Sequence, residues 1–383
     1  MKFMLMTLLS ALLCGCSTPP LQPSPEPLFR DHLFAAAAQR ADAEQVFALS
    51  DAMQHYLRVE IAAQLRRDGL APGLINALYR RDQLKLDYDS AATRNAAQAF
   101  DARKGNCLSL VIMTAAFAKE LGLQVSYQTV ASEETWTRSQ GIAFLSTHIN
   151  VTLGPRATTA RSGVSGGTSL TVDFLPSEDL RGQRIQPVSE DTVVAMYMNN
   201  RAAENLARGL IDEAYWWARA AIVQAPRLRT GYNTLGVVYM RHGDMNAAED
   251  VFAALLRRDP HDKQALSNLA SMLETLGRSS ESSAARAVLA QLEPYPPFHF
   301  FRLGTAAMEQ GDFKIAKRMF EKEVDRADYS SEFHFWLALA NFRLGDADEA
   351  RKEMQLAVKN STSRSDHDLY AAKLERLRSE KLN

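Results

Sequence analysis

The chain has 383 residues, 46% hydrophobic and 23% charged, long enough for two domains of ordinary size and apolar enough to bury a core in each. Its formal net charge of −1, with no basic run or stripe, argues against a nucleic-acid partner chosen by bulk electrostatics. No His/Cys spacing suggests a structural metal site, and no motif calls for a cofactor.

Lys2 precedes an apolar stretch, Phe3 to Leu13, broken only by Thr7 and Ser10. Spanning a bilayer takes about 20 apolar residues, so residues 1–15 read instead as a signal peptide. The stretch closes on Leu13-Cys14-Gly15-Cys16, which resembles the bacterial lipobox. That resemblance implies cleavage before Cys16, lipidation of Cys16 and attachment to a membrane. A cleaved signal with a coincidental cysteine is the alternative. Ser17 stands where lipoproteins kept in the inner membrane resemble one another in having Asp, which points to the periplasmic face of the outer membrane. Prolines at 19, 20, 23, 25 and 27 predict an extended tether over residues 16–31. Cleavage and lipidation then leave Cys107 as the free thiol, either buried and inert or kept for its reactivity.

Residues 32–190 form the next predicted domain. Residues 32–84 read as helices: Ser50 can cap one running through Arg67, and Pro72-Gly73 punctuates before another. A short helix follows over Asn95–Ala102. Asn106 is a good N-cap for a helix ending before Gly122, which puts Cys107 in its first turn. Free N–H groups and the helix dipole there stabilise a thiolate, and the same groups can receive an oxyanion. Gln124–Ala131, Thr147–Leu153 and Ser169–Phe174 alternate as strands, with Ile149, Val151 and Leu153 on one face and His148 on the other. If the last two strands pair, His148 and Asp173 share a face, and an imidazole oriented by a carboxylate near a helix-terminal thiol is the constellation of cysteine hydrolases.

Gly105-x-Cys107 opening a helix, His148 on one strand and Asp173 within Val172-Asp173-Phe174 on the next resemble the transglutaminase-like superfamily. The run Gly105 to Leu110 and Lys119 to Leu123 looks especially like its bacterial branch with appended helical repeats. The resemblance covers about residues 85–180 and implies an α+β, papain-like thiol-hydrolase fold with Cys107, His148 and Asp173 as catalytic residues. The sequence departs from the family in its long Gly154–Thr168 connection and in having Ile149-Asn150 after the histidine.

Past residue 195, Gly209, Gly243, Gly277, Gly311 and Gly345 recur every 34 residues. A small residue stands seven positions before each: Ala202, Gly236, Ala270, Gly304 and Ala338. Pro226, Pro260 and Pro294 close the first three units in one register. This resembles the tetratricopeptide repeat, a pair of antiparallel helices per unit. The resemblance implies an all-α superhelix of five units over residues 195–362, with a capping helix in 363–383. Contacts to the preceding domain are expected at the first unit alone. By the same resemblance, Asn233, Phe298, Phe301 and Phe335 fall at concave-face positions suited to an extended peptide. Packing of the phenylalanines between helices is the equal alternative.

Two functions follow. One is an envelope thiol enzyme that hydrolyses or transfers a peptide or isopeptide amide, its repeats presenting a protein substrate. The other is a non-catalytic adaptor whose repeats bind a protein partner beside a vestigial transglutaminase-like domain.

Overall fold

The computed structural model describes residues 24–37, 41–79, 84, 86–89, 92–139, 142–156, 169–172, 174, 184–361 and 364–379. Ser50 caps α1 (Asp51–His55) by accepting from the Met53 N–H at 3.3 Å. The helix continues through a π-helical stretch, Tyr56–Glu60, into α2 (Ala62–Asp68), and α3 spans Leu70–Tyr79. Pro72 and Gly73 do not precede α3 as expected. They sit in its first turn, where a missing N–H costs no helical hydrogen bond. Asn95 and Gln98 form a reciprocal capping box on α4 (Ala96–Ala102).

Helix α5 (Cys107–Glu120) buries every residue from Cys107 to Ala118. A helix apolar all round needs cover on several sides. Helices α3 and α4 supply part of that cover, and strands β3 (Leu123–Ser139) and β4 (Ile142–Arg156) supply more. With β5 (Leu170–Val172) and β6 (Arg184–Val188), these strands make an antiparallel sheet ordered β5-β4-β3-β6. A separate two-residue parallel pair joins β1 (Asp87–Tyr88) to β2 (Lys104–Gly105). Tyr127, Val151 and Val172 stand in one cross-strand row, and Ile149, Val151 and Leu153 are fully buried.

The β3–β4 hairpin is longer than the alternation indicated, with a register shift between Val130 and Thr135. Ser132-Glu133-Glu134 has no apolar face to announce a strand. Strand β6 was not expected either; it contains Pro187 and lies at a sheet edge, where proline is tolerated.

The C-terminal part is all helical. Antiparallel pairs α6 (Glu190–Ala207) with α7 (Ile211–Gln224), α8 (Arg229–His242) with α9 (Met245–Arg258), and α10 (Lys263–Thr275) with α11 (Ser279–Leu292) come first. They are followed by α12 (His299–Gln310) with α13 (Phe313–Arg326), and α14 (Ser331–Arg343) with α15 (Ala347–Asn360). The final helix, α16 (Arg364–Ser379), buries Tyr370 and Leu374 while Leu369 stays exposed. The turn glycines have φ between +73° and +104°. Within the units, a Cβ on Gly236 or Gly304 would lie 2.4 or 2.5 Å from the ring of Phe252 or Phe320, so only glycine allows those helices to approach.

Two boundaries differ from expectation. Helix α6 begins at Glu190 and packs on both α5 and β3, so the first repeat helix belongs to both cores. Contacts also extend past the first unit, because residues 26–35 lie across α7, α8 and α9. Part of the expected tether is thus a docked strap. One continuous core runs from Phe34 to Leu273.

Candidate functional site

Cys107 is the first residue of α5 and is 6% exposed. The loop beneath it is held by hydrogen bonds in several directions. Asn106 Oδ1 accepts from the Ser109 N–H at 2.9 Å and from its hydroxyl at 2.8 Å. Asn106 Nδ2 donates to Thr93 Oγ1 at 2.8 Å, and the Arg94 N–H donates to Ser109 Oγ at 2.8 Å. The Asn106 side chain is therefore committed to capping and bracing. A Cβ at Gly105 would lie 2.6 Å from Ser109 Cβ, which explains the glycine two residues before the thiol. Arg94 and Lys104 both pair with Asp89, at 3.1 and 3.3 Å.

Thr93, 2% exposed, ties this loop to the repeats. Its N–H donates to Glu204 Oε1 at 2.6 Å, and its hydroxyl accepts from Asn200 Nδ2 at 3.2 Å. Both partners are on α6. Nothing in the local sequence pattern signals Thr93, Asn200 or Glu204, because the bonds that tie Thr93 to the other two join residues about a hundred positions apart. Tyr127 extends the junction by donating to Glu190 at 2.9 Å, and Lys119 pairs with the same carboxylate at 2.6 Å. Burial, reinforced by Glu190, pushes the Tyr127 hydroxyl well above the ordinary tyrosine range.

The other expected site residues fall as follows. The backbone of His148 lies in β4 opposite Val130 of β3; its side chain is outside the described residues. Asp173 and Cys16 are outside them altogether. Among the described residues, no group of three or more His, Cys, Asp or Glu side chains could hold a metal ion, and no helix is long and apolar enough to cross a membrane.

On the repeats, Asn233 is half-buried and joins the second unit to the third. Its oxygen accepts from Asn268 Nδ2 at 2.9 Å and its amide donates to Gln264 at 3.3 Å. The phenylalanines correct the peptide-site expectation. Phe298 and Phe301 are buried against Phe333, with ring centroids at 5.4 and 5.3 Å. Phe335 stacks on Tyr370 of α16 at 5.0 Å. Each ring fills a gap between helices, as apolar side chains at helical spacing commonly do.

The tetratricopeptide repeat family profile matches residues 233–296 and 301–365. No curated protein matches the chain. Among solved structures, it is similar to Pseudomonas aeruginosa pilF, at 18% identity over 49% of this chain and 94% of the other, TM-score 0.28. It is also similar to YrrB, described as a TPR protein with an unusual peptide-binding site, at 17% identity over 47% and 92%, TM-score 0.25. Yeast Tom70 matches at 15% identity over 49% and 40%, TM-score 0.35. The family profile match lies in the helical region, and the expected transglutaminase-like domain is left without support. The C-terminal region of this chain is built of tetratricopeptide repeats.

Proposed function

We infer that this chain is a scaffold that binds a protein or peptide along its repeat array, with the N-terminal α+β domain bonded to the array's first helix. The repeats carry this reading: stacked helix pairs form an extended surface whose usual work is recognition. The amides of Asn233, Gln264 and Asn268, joined across two units, offer donors and acceptors that suit a polypeptide main chain. Peptides selected from a display library on the purified protein test it. They should bind Asn233→Asp at least several-fold more weakly, with helicity unchanged, and should bind Cys107→Ala normally. Selected peptides indifferent to Asn233→Asp and Asn268→Asp would remove the amide surface as the site.

A second reading, acyl transfer at Cys107, is favoured by the placement of the thiol. Helix α5 rises about 21 Å over its length at roughly 1.5 Å per residue, and the turn at Leu121–Gly122 reverses the chain into β3. At about 3.3 Å per residue, β3 comes level with Cys107 near Thr129–Val130. Val130 is the register partner of His148. In this reading Cys107 attacks the acyl carbon, His148 takes its proton and returns it to the leaving amine, and Asp173 orients the imidazole. A transglutaminase-like domain is the fold that this reading requires. Iodoacetamide labelling at pH 6 to 7 should slow several-fold in His148→Ala and less in Asp173→Asn. Equal rates in wild type and His148→Ala would leave the scaffold reading alone.

A further inference from the structure

The repeat array changes character between its third and fourth units. At the other junctions the second helix of one unit packs on the first helix of the next: α7 on α8, α9 on α10 and α13 on α14. Among the described residues α11 and α12 do not form that packing, and α11 buries only Ser282. At the position where the other units bury Ala218, Phe252, Phe320 and Met354, the third unit has Arg286, exposed and 3.7 Å from Glu274. Across the junction Leu303 of α12 is 47% exposed, whereas Leu235 and Leu337, at the same place in the second and fifth units, are buried. Two cores result: one ends at Leu273, and Phe298, Phe301, Phe320 and Phe333 belong to another.

The linker between them, residues 293–298, is longer than 225–228, 259–262 and 327–330 at the other junctions. Its two ends are held by different bodies. Glu293 closes α11: its N–H donates to the Leu289 carbonyl at 2.7 Å, and its carboxylate pairs with Lys263 of α10 at 3.4 Å. Tyr295 is held by the fourth unit. Its carbonyl accepts from Arg326 of α13 at 2.7 Å, and its ring lies 4.9 Å from that of Phe300. The Pro296 carbonyl accepts from the His299 N–H at 3.0 Å, and Phe298 packs against Phe301 and Phe333.

The chain thus passes from one body to the other within Glu293-Pro294-Tyr295. Proline holds φ at position 294, and Glu293 and Tyr295, each preceding a proline, are biased to extended backbone. Rotation is left mainly to ψ of Pro294 and φ of Tyr295, a short swivel between two held ends.

We propose that Glu293-Pro294-Tyr295 is a hinge about which units four and five, with α16, swing as one body against the first three units and the N-terminal domain. A hinge concentrates the dihedral change in a few residues at the ends of elements, while the helices packed on either side keep their contacts. At the junctions on either side, a swing would have to unpack helices whose buried side chains include Phe252 and Phe320. Here the equivalent side chain is Arg286, in solvent, and nothing has to be unpacked. On the scaffold reading, the hinge fits one array to partners of different curvature. It is tested without a partner, so the two readings stand or fall separately.

Distances between spin labels provide the test. Asn246, Ser280, Lys314 and Asp348 are exposed, and each lies three residues after the turn glycine of its unit. The natural cysteines are first removed as Cys14→Ala, Cys16→Ala and Cys107→Ala, with the helical circular dichroism of the natural chain retained. Three labelled pairs then span one junction each: Asn246→Cys with Ser280→Cys, Ser280→Cys with Lys314→Cys, and Lys314→Cys with Asp348→Cys. The distance distribution of the middle pair should be roughly twofold wider than those of the outer pairs. Pro294→Gly, which frees φ, should widen the middle distribution further and leave the outer two unchanged. A middle pair as narrow as the outer two, or three equally broad pairs, would overturn the hinge. A middle distribution that Pro294→Gly leaves unaltered would overturn its placement at residues 293–295.

Discussion

Phe320→Ala should unfold the last two units well before the rest of the protein. Phe320 is fully buried, lies against Gly304, and has ring neighbours Phe301 at 5.8 Å and Trp336 at 5.9 Å. Removing it leaves a cavity in a small core, at a cost of about 3 to 5 kcal/mol. In a repeat array a defect spreads through contacts between neighbouring units, and the α11–α12 junction lacks its usual contact. Calorimetry in dilute solution should therefore show a first transition moved to lower temperature and a second one unmoved. Phe252→Ala should do the reverse, since Phe252 belongs to the core that runs from Phe34 to Leu273. A single transition that shifts as a whole in Phe320→Ala would show that the two stacks unfold as one.

Phe34→Ala should release the strap. Phe34 is buried and stacks on Tyr215 at 3.9 Å with an interplanar angle of 6°, with His242 at 4.5 Å and Tyr239 at 5.8 Å. Around it the Arg30 N–H donates to the hydroxyls of both Tyr215 and Tyr239 at 3.0 Å. Tyr215 donates onward to Asp31, and Tyr239 to the Leu28 carbonyl at 2.8 Å. Burial and the bond to Asp31 push the Tyr215 hydroxyl above the ordinary tyrosine range, so it remains a donor throughout the neutral range. Trp216 and Asp212 hold Ala35 through its carbonyl and its N–H, at 2.6 and 3.0 Å. Losing the ring should cost about 3 kcal/mol. Local opening should then be roughly a hundredfold more frequent, at about tenfold per 1.4 kcal/mol. Hydrogen exchange at Arg30 and trypsin cleavage after it report that opening. Unchanged exchange at Arg30 would show that the hydrogen bonds alone hold the strap.

What could be read from the sequence was local and periodic. The glycines every 34 residues, the small residue seven positions before each and the helical spacing between them specify paired helices, because a tight turn and a close approach each accept few residue types. Asn106 and Ser50 were legible as caps, since an N-cap acts within three residues of itself. The alternation at Ile149, Val151 and Leu153 marked a strand with one buried face for a similarly local reason.

Features depending on distant partners were decided only by the tertiary structure. The proline-rich segment looked like a free tether, yet its end docks on tyrosines about two hundred residues away; proline restricts φ without forbidding tertiary contacts. Phe298 and Phe301 occupy positions that suit a ligand, but they are buried in a core with Phe320, Phe333 and Leu337 from neighbouring helices. Thr93, Asn200 and Glu204 show no motif and still bond the Cys107 loop to the first repeat helix. The missing packing between α11 and α12 was not legible in the sequence either, since the 34-residue spacing of the glycines continues across it. A 34-residue period records how each unit folds, whereas contact between units depends on a few side chains that the period does not constrain.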